Sequence, residues 1–206
     1  MLDAGCQMPP VELVIASKNK GKIREIREIY ADLPVTVVEV AGLPDVVEDG
    51  TTFSANARKK AIEIARHTGK WALADDSGLE VDALKGAPGI HSARWSGGGD
   101  EANNDKLLAE LRDVPAPART ARYRAVVVVA DPSGRVVAEA DGACDGLIGF
   151  ARKGTGGFGY DPLFGVPQFA LTMAELPAET KHSISHRGQA LRRLRQPLTL
   201  ALASLR

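Results

Sequence analysis

Only two cysteines occur in the chain, Cys6 and Cys144, and they lie far apart with neither Cys-x-x-Cys nor zinc-type spacing. A disulfide framework is thereby excluded, and nothing points to a thiol active site. No stretch approaches the roughly 20 consecutive apolar residues of a membrane span. Met1 to Pro10 has neither the basic start nor the apolar run of a secretory signal, so the expectation is a cytoplasmic protein without a membrane partner. Histidine is scarce. His67, His91, His182 and His186 show no metal-ligand pattern, so any metal should be a hard ion that prefers oxygen. Neither sign of charge is in excess, with 26 Lys+Arg against 26 Asp+Glu, and no broad basic field favours long nucleic acid. Solenoid repeats, heptads and low-complexity tracts are absent as well.

What is present is a chain of 206 residues, 44% hydrophobic, enough for one ordinary domain or two tightly joined lobes. Val11 to Ala16 reads as a buried strand that feeds a polar turn, and Ile23, Ile26 and Ile29 then recur at helical spacing, with Asn19 as N-cap. A second strand is expected at Val35 to Val40, an acidic loop at Gly42 to Thr52, and a helix from Phe53 to His67 with Gly69 closing it. Trp71 to Ala74 reads as a short strand that stops at Asp75-Asp76, and Leu79 to Leu84 as another. Gly86 to Asp100 reads as loop and Glu101 to Leu111 as helix. Strands at Arg122 to Ala130 and Arg135 to Ile148 flank a turn at Asp131 to Gly134, which makes a long hairpin. A short helix near Thr172 to Leu176 and a final one from about Ser185 or Gly188 to Leu205 complete an α/β chain of mixed strands with flanking helices.

Four constellations carry chemistry. The turn Ser17-Lys18-Asn19-Lys20-Gly21-Lys22 follows a strand and opens a helix, so its backbone N–H groups and lysines suit phosphate; a solvated, lysine-rich helix start has the same composition. It is not a Walker A loop, because the Gly-Lys-Ser/Thr ending is missing. Asp75-Asp76, with Glu48 in the acidic loop, offers oxygen ligands for Mg2+, and a carboxylate beside such an ion is placed to act as a base; an ordinary acidic surface turn is the alternative. Asn56 and Lys60 share one helical face, either toward phosphates or toward solvent. Phe158, Gly159, Tyr160 and Asp161 form a glycine-rich loop that suits stacking on a base, or a simple glycine-rich hairpin. Lys181 and Ser185-His186-Arg187-Gly188 add donors at a helix start.

Taken in order, Ser17-x-Asn19-x-x-Lys22, Glu48-Asp-Gly-x-Thr-Phe-x-x-Asn56, Ala-Asp-Asp-Ser-Gly-Leu79, Gly-Ala-Pro-Gly-Ile-x-Ser-Ala-Arg94, Gly-Thr-Gly-Gly-Phe-Gly-Tyr-Asp-Pro162 and Ser-His-Arg-Gly-Gln-Ala-Leu191 resemble the inosine triphosphate pyrophosphatase family. The likeness runs from about Val11 to the end, leaving residues 1–10 as an extension and 11–206 as one domain. It implies an elongated, two-lobed α/β fold, a homodimer, and Mg2+-dependent hydrolysis of ITP, dITP and XTP to the monophosphate and pyrophosphate. By the same resemblance Ser17 to Lys22 and Lys60 hold the triphosphate, and Glu48 and Asp76 hold the metal. Asp76 is the proton acceptor for a water that attacks the α-phosphorus, and Asn56 and Asp75 are auxiliary. Ser77, Phe158 to Asp161, Lys181, His186 and Arg187 receive the nucleotide. The chain departs from the family at Phe169-Ala170-Leu171, where relatives often carry a glycine-containing turn, at Asp145, where many have proline, and at His91, often tyrosine. Two other readings compete: a pyrophosphatase for modified pyrimidine or methylated nucleotides, and a nucleotide-binding regulator without chemistry.

Overall fold

The computed structural model describes residues 10–204, so nearly all of the expected N-terminal extension, including Cys6, lies outside the described residues, as does the final helix's expected end at Leu205. One mixed sheet of seven strands forms the frame: β1 (Val11–Ile15), β2 (Val35–Val38), β3 (Trp71–Val81), β4 (Thr120–Ala130), β5 (Val136–Ile148), β6 (Phe164–Val166) and β7 (Leu171–Thr172). Their order across the sheet is β2-β1-β3-β4-β5-β6-β7. β1 runs parallel to β2 and β3, and every later pairing is antiparallel.

Strand alternation assigns the two faces. Leu13, Ile15, Trp71, Leu73, Val127 and Val129 point to one side, where α1 (Lys20–Ile29) and α5 (His186–Ala203) cover them with Ile23, Ile26, Leu191, Leu194 and Leu198. Val14, Ala72, Ala74, Val128 and Ala130 point to the other, under α2 (Phe53–Thr68). There Ala57, Ala61 and Ala65 present a small-residue stripe that brings the helix close to the alanines of β3. A third cluster, with Leu79, Val81, Tyr123, Phe164 and Leu163, packs Leu107 and Leu111 from α3 (Gly99–Glu110) and its end against the far half of the sheet. Among the described residues no helix is long and apolar enough to cross a membrane.

The caps behave as expected. Asn19 accepts from the Lys22 N–H, and Gly69 closes α2 at φ 63°. The β4–β5 hairpin turns at Asp131 to Gly134, where Asp131 Oδ1 accepts the Ser133 N–H at 3.0 Å.

Three expectations are corrected. The strand at Trp71 does not stop at the carboxylates: β3 is continuous for 11 residues, with Asp75 opposite Val127 and Asp76 opposite Val126. What stops is its neighbour. β1 pairs with β3 only as far as Ile15–Leu73, so the pair of aspartates lies where one edge of an unbroken strand loses its partner. Asp82–Leu84, expected as strand, is a 3-10 turn, as is Gly89–Arg94. Finally, Thr172 to Leu176 is not helical. The short helix is α4 (Ala178–Ile184), and Thr172 ends β7 because Glu175 Oε2 accepts from the Thr172 N–H and ties off the turn.

The departures from the family pattern have local consequences. Ala170 takes φ 54°, the left-handed region in which glycine is at ease. Asp145 faces Arg122, with Oδ1 3.5 Å from Nε.

Candidate functional site

Consecutive residues of a strand point to opposite faces, so Asp75 and Asp76 enter different surroundings. Asp76 points toward α2. Lys60 Nζ, anchored there, lies 3.1 Å from Asp76 Oδ1, 2.8 Å from Glu48 Oε1 and 3.0 Å from the Asp75 carbonyl oxygen. Asp76 Oδ2 is buried and has no hydrogen-bond partner. Burial pushes the Asp76 carboxyl up from its ordinary range, and Glu48 adds to this, against the pull of Lys60 and Lys22. For Glu48, burial works upward too, but Lys60 and Arg94 outweigh it and hold the carboxyl below its usual value. Arg94, in the 3-10 turn after β3, reaches Glu48 Oε2 at 2.8 Å.

Asp75 points toward α1 and α5. Its carboxylate is 1% exposed and fully engaged: Arg187 Nε lies 3.1 Å from Oδ2, Arg187 Nη2 3.2 Å from Oδ1, Lys22 Nζ 2.5 Å from Oδ1, and Ser77 Oγ donates to Oδ1 at 3.0 Å. These partners overcome desolvation and hold Asp75 well below the usual carboxylate range. Arg187 also donates to Ser77 Oγ (2.9 Å) and Glu25 Oε2 (2.6 Å). Four of its five N–H groups are therefore engaged, and one on Nη1 is left. Glu25 continues the network to Lys181 (2.8 Å), and Lys181 to Asp161 Oδ2 (2.7 Å). Buried charge of both signs thus runs from α1 to the aromatic loop, each group satisfied by its neighbours.

Two adjoining hollows open onto these groups. The first, about 280 Å³, is lined by Ser17, Lys18, Asn19, Lys22, Glu48 and Lys60, with Leu43 to Val46 of the acidic loop on its rim. The second, about 80 Å³, is lined by Ser77, Phe158, Gly159, Tyr160, His186 and Arg187, together with Ser92 and Ala93. Asn19, Lys22 and Ala93 belong to both. The Phe158 ring sits under Lys181 Nζ (5.0 Å) and Arg187 Cζ (5.5 Å), a cation–π arrangement. It also lies against Gly21, where a Cβ would come within 2.5 Å of it. His186 stacks on Tyr123, and burial pushes its imidazole down to about 3, so the ring is neutral at physiological pH.

Most residues singled out from the sequence converge here, but not all in the expected way. Lys20 is exposed and lines a separate surface hollow with Arg24, Arg27 and Glu39. Asn56 is buried with its Oδ1 on the Gly50 N–H (2.8 Å), so it braces the loop that carries Glu48. Asp161 is buried and lines neither hollow. Its Oδ2 accepts from the Phe158 N–H (2.9 Å) and shapes the loop. Sequence reasoning missed Glu25 and Arg94. Glu25 carried one signal, lying three residues after Lys22 and four before Ile29 on α1, so that a carboxylate and an ammonium share a face with an apolar residue. Arg94 carried one as the last residue of the Gly-Ala-Pro-Gly-Ile-x-Ser-Ala-Arg stretch, but nothing in that stretch pairs it with Glu48.

Among the described residues no three His, Cys, Asp or Glu side chains group as a metal site. The two carboxylates Glu48 and Asp76, with the unpartnered Asp76 Oδ2, still fit a Mg2+ ion, which is satisfied by one or two carboxylates plus phosphate oxygens and water.

Comparison with known proteins gives a consistent result. A family model described as the Ham1 family matches residues 13–197. The chain is 53% identical over 188 residues to a dITP/XTP pyrophosphatase of Desulforamulus reducens, covering 89% of this chain and 93% of that protein. It is 52% identical to the dITP/XTP pyrophosphatase of Geobacter sulfurreducens, with 90% and 96% covered. A solved HAM1 protein from Coxiella burnetii superposes with a TM-score of 0.82 at 38% identity, covering 92% of this chain and 98% of that one.

Proposed function

The chain belongs to the Ham1 family, and on that premise we propose that it hydrolyses non-standard purine nucleoside triphosphates, dITP, ITP and XTP, to the nucleoside monophosphate and pyrophosphate. The observation that carries this reading is the adjacency of the two hollows: one lined by lysines and carboxylates, the other by aromatics and Arg187, sharing Asn19 and Lys22. A triphosphate suits the first and a purine the second.

The N-terminus of α1 offers backbone N–H groups, and Ser17 and Asn19 add side-chain donors for phosphate oxygens. Lys22 and Lys60 place positive charge where negative charge grows on departing pyrophosphate. Glu48 and Asp76 would hold Mg2+, which when bound neutralises phosphate charge and favours ionisation of a nearby water. Asp76 accepts a proton from the attacking water on Oδ2, the oxygen without a partner. Asp75 is the fixed counter-ion that keeps Arg187 and Lys22 in place.

Base choice rests on polarity. The remaining N–H of Arg187 Nη1 can meet the C6 oxygen of hypoxanthine or xanthine, whereas adenine presents an amino donor there and leaves two donors opposed. The same proposal takes residues 11–206 as a single domain of two lobes, acting as a homodimer in the cytoplasm; sedimentation and cell fractionation check the last two.

The deciding experiment is pyrophosphate release from ITP, dITP, XTP, GTP and ATP, with Mg2+ and after chelation. Rapid release from ITP and XTP, slow release from ATP and none without Mg2+ is expected. Equal turnover of ATP and ITP would refute the polarity argument, and undiminished release in chelator would remove the metal.

A further inference from the structure

Two consecutive side chains of α3, Asn103 and Asn104, are each 1% exposed and have no part in the chemistry above, yet each grips one lining segment of the smaller hollow. Asn104 Nδ2 donates to the Gly159 carbonyl (2.9 Å) and to the Asp100 carbonyl (2.9 Å). Two carbonyl oxygens against one end of the amide require that end to be the nitrogen. Asp100 Oδ2 in turn accepts the Gly159 N–H at 2.7 Å, so both backbone polar groups of Gly159 are held from the start of α3. Asn103 serves the other segment. Its Nδ2 donates to the carbonyls of Ser92 (3.2 Å) and Ala93 (3.3 Å), and its Oδ1 accepts from the Ser96 N–H (2.8 Å) and Oγ (2.7 Å). A direct tie closes the arrangement, because Tyr160 OH donates to the Ser92 carbonyl at 2.9 Å.

Phe158 and Gly159 on one segment, and Ser92 and Ala93 on the other, line the same hollow of about 80 Å³. Their separation is referred to adjacent residues on one helix, the stiffest spacer a chain supplies. We propose that Asn103 and Asn104 are positioning residues that set the width of the base hollow and through it the discrimination between purines. The inference rests on the functional reading above. A hollow loosened by an ångström lets the wrong base shift away from an opposed donor, which is where selectivity is lost.

The test compares Asn104→Ala and Asn103→Ala with Leu107→Ala, a core truncation on the same helix. Asp100→Ala, at an exposed position that itself lines the hollow, removes a second tie to Gly159 and serves if the buried variants do not fold. The expected result for Asn104→Ala and Asp100→Ala is KM for ITP raised about tenfold, kcat within about twofold, and the ITP-over-ATP ratio of kcat/KM reduced about tenfold. Leu107→Ala should lower Tm and leave that ratio alone. If discrimination survives in the Asn104 and Asp100 variants, this inference fails while the functional reading stands. If the wild-type chain does not discriminate ITP from ATP, the functional reading fails and takes the inference with it.

Discussion

The ammonium of Lys60 lies 3.1 Å from Oδ1 of Asp76 and leaves Oδ2 of the same carboxylate buried without a partner. A buried acceptor left open costs free energy on the order of 1–3 kcal/mol, so its retention points to use by something that arrives with substrate.

Replacing Asp76 by Asn removes the base and keeps the shape. Turnover of ITP should fall roughly a hundred- to ten-thousand-fold, while the thermal transition stays at or above that of the wild type because a desolvated charge has been removed. Pyrophosphate release and a melting curve on the same sample check this, and near-normal turnover would remove Asp76 from its role.

Glu25 makes acid stability measurable. Burial raises its carboxyl, but Arg187 and Lys181 overcome this and bring it to about 2 from its ordinary value of 4.5. A group depressed on folding contributes fully above its unfolded value and loses that contribution as pH falls through the folded one. The loss therefore lies between about 4.5 and about 2. Glu25→Gln should cost on the order of 3 kcal/mol at neutral pH and flatten the acid limb of stability in that window. Urea titrations at a series of pH values decide it, and an unchanged acid limb would count against the pairing.

At Gly157, φ is 75° and a Cβ would stand 2.0 Å from Asp161 Oδ2. Gly157→Ala should push that carboxylate off the Phe158 N–H, raise KM for ITP, and destabilise the fold by about 1–2 kcal/mol for the left-handed backbone. Unaltered KM with an altered melting temperature would separate the loop's stability from its role in binding.

Ala170 offers the opposite experiment. Its φ of 54° places a β-carbon in the left-handed region at an exposed turn. Ala170→Gly should stabilise the chain by about 0.5–1 kcal/mol, since relief of strain exceeds the added freedom of the unfolded state, and should leave activity alone. A loss of stability in urea denaturation would contradict this.

The sequence by itself determined the elements whose signal is local. The β1–turn–α1 unit with its Asn19 cap, α2 with Gly69, and the Asp131–Gly134 hairpin follow from apolar period and capping chemistry carried by the residues themselves. The resemblance, carried by ordered motifs, likewise pointed to the family. The course of β3 was decided by tertiary structure, because two adjacent carboxylates read as a strand end until the antiparallel partner β4 is in place to keep the strand going past the end of β1. Glu25 and Arg94 were hidden for a related reason. A charge partner is a relation between distant segments: Arg187 lies 162 residues from Glu25, and Arg94 46 from Glu48. The division of labour at Asp75-Asp76 has the same origin, since the pleat of β3 turns one aspartate toward α1 and α5 and its neighbour toward α2, and only the packed sheet decides which helices, and so which cations, wait on each side.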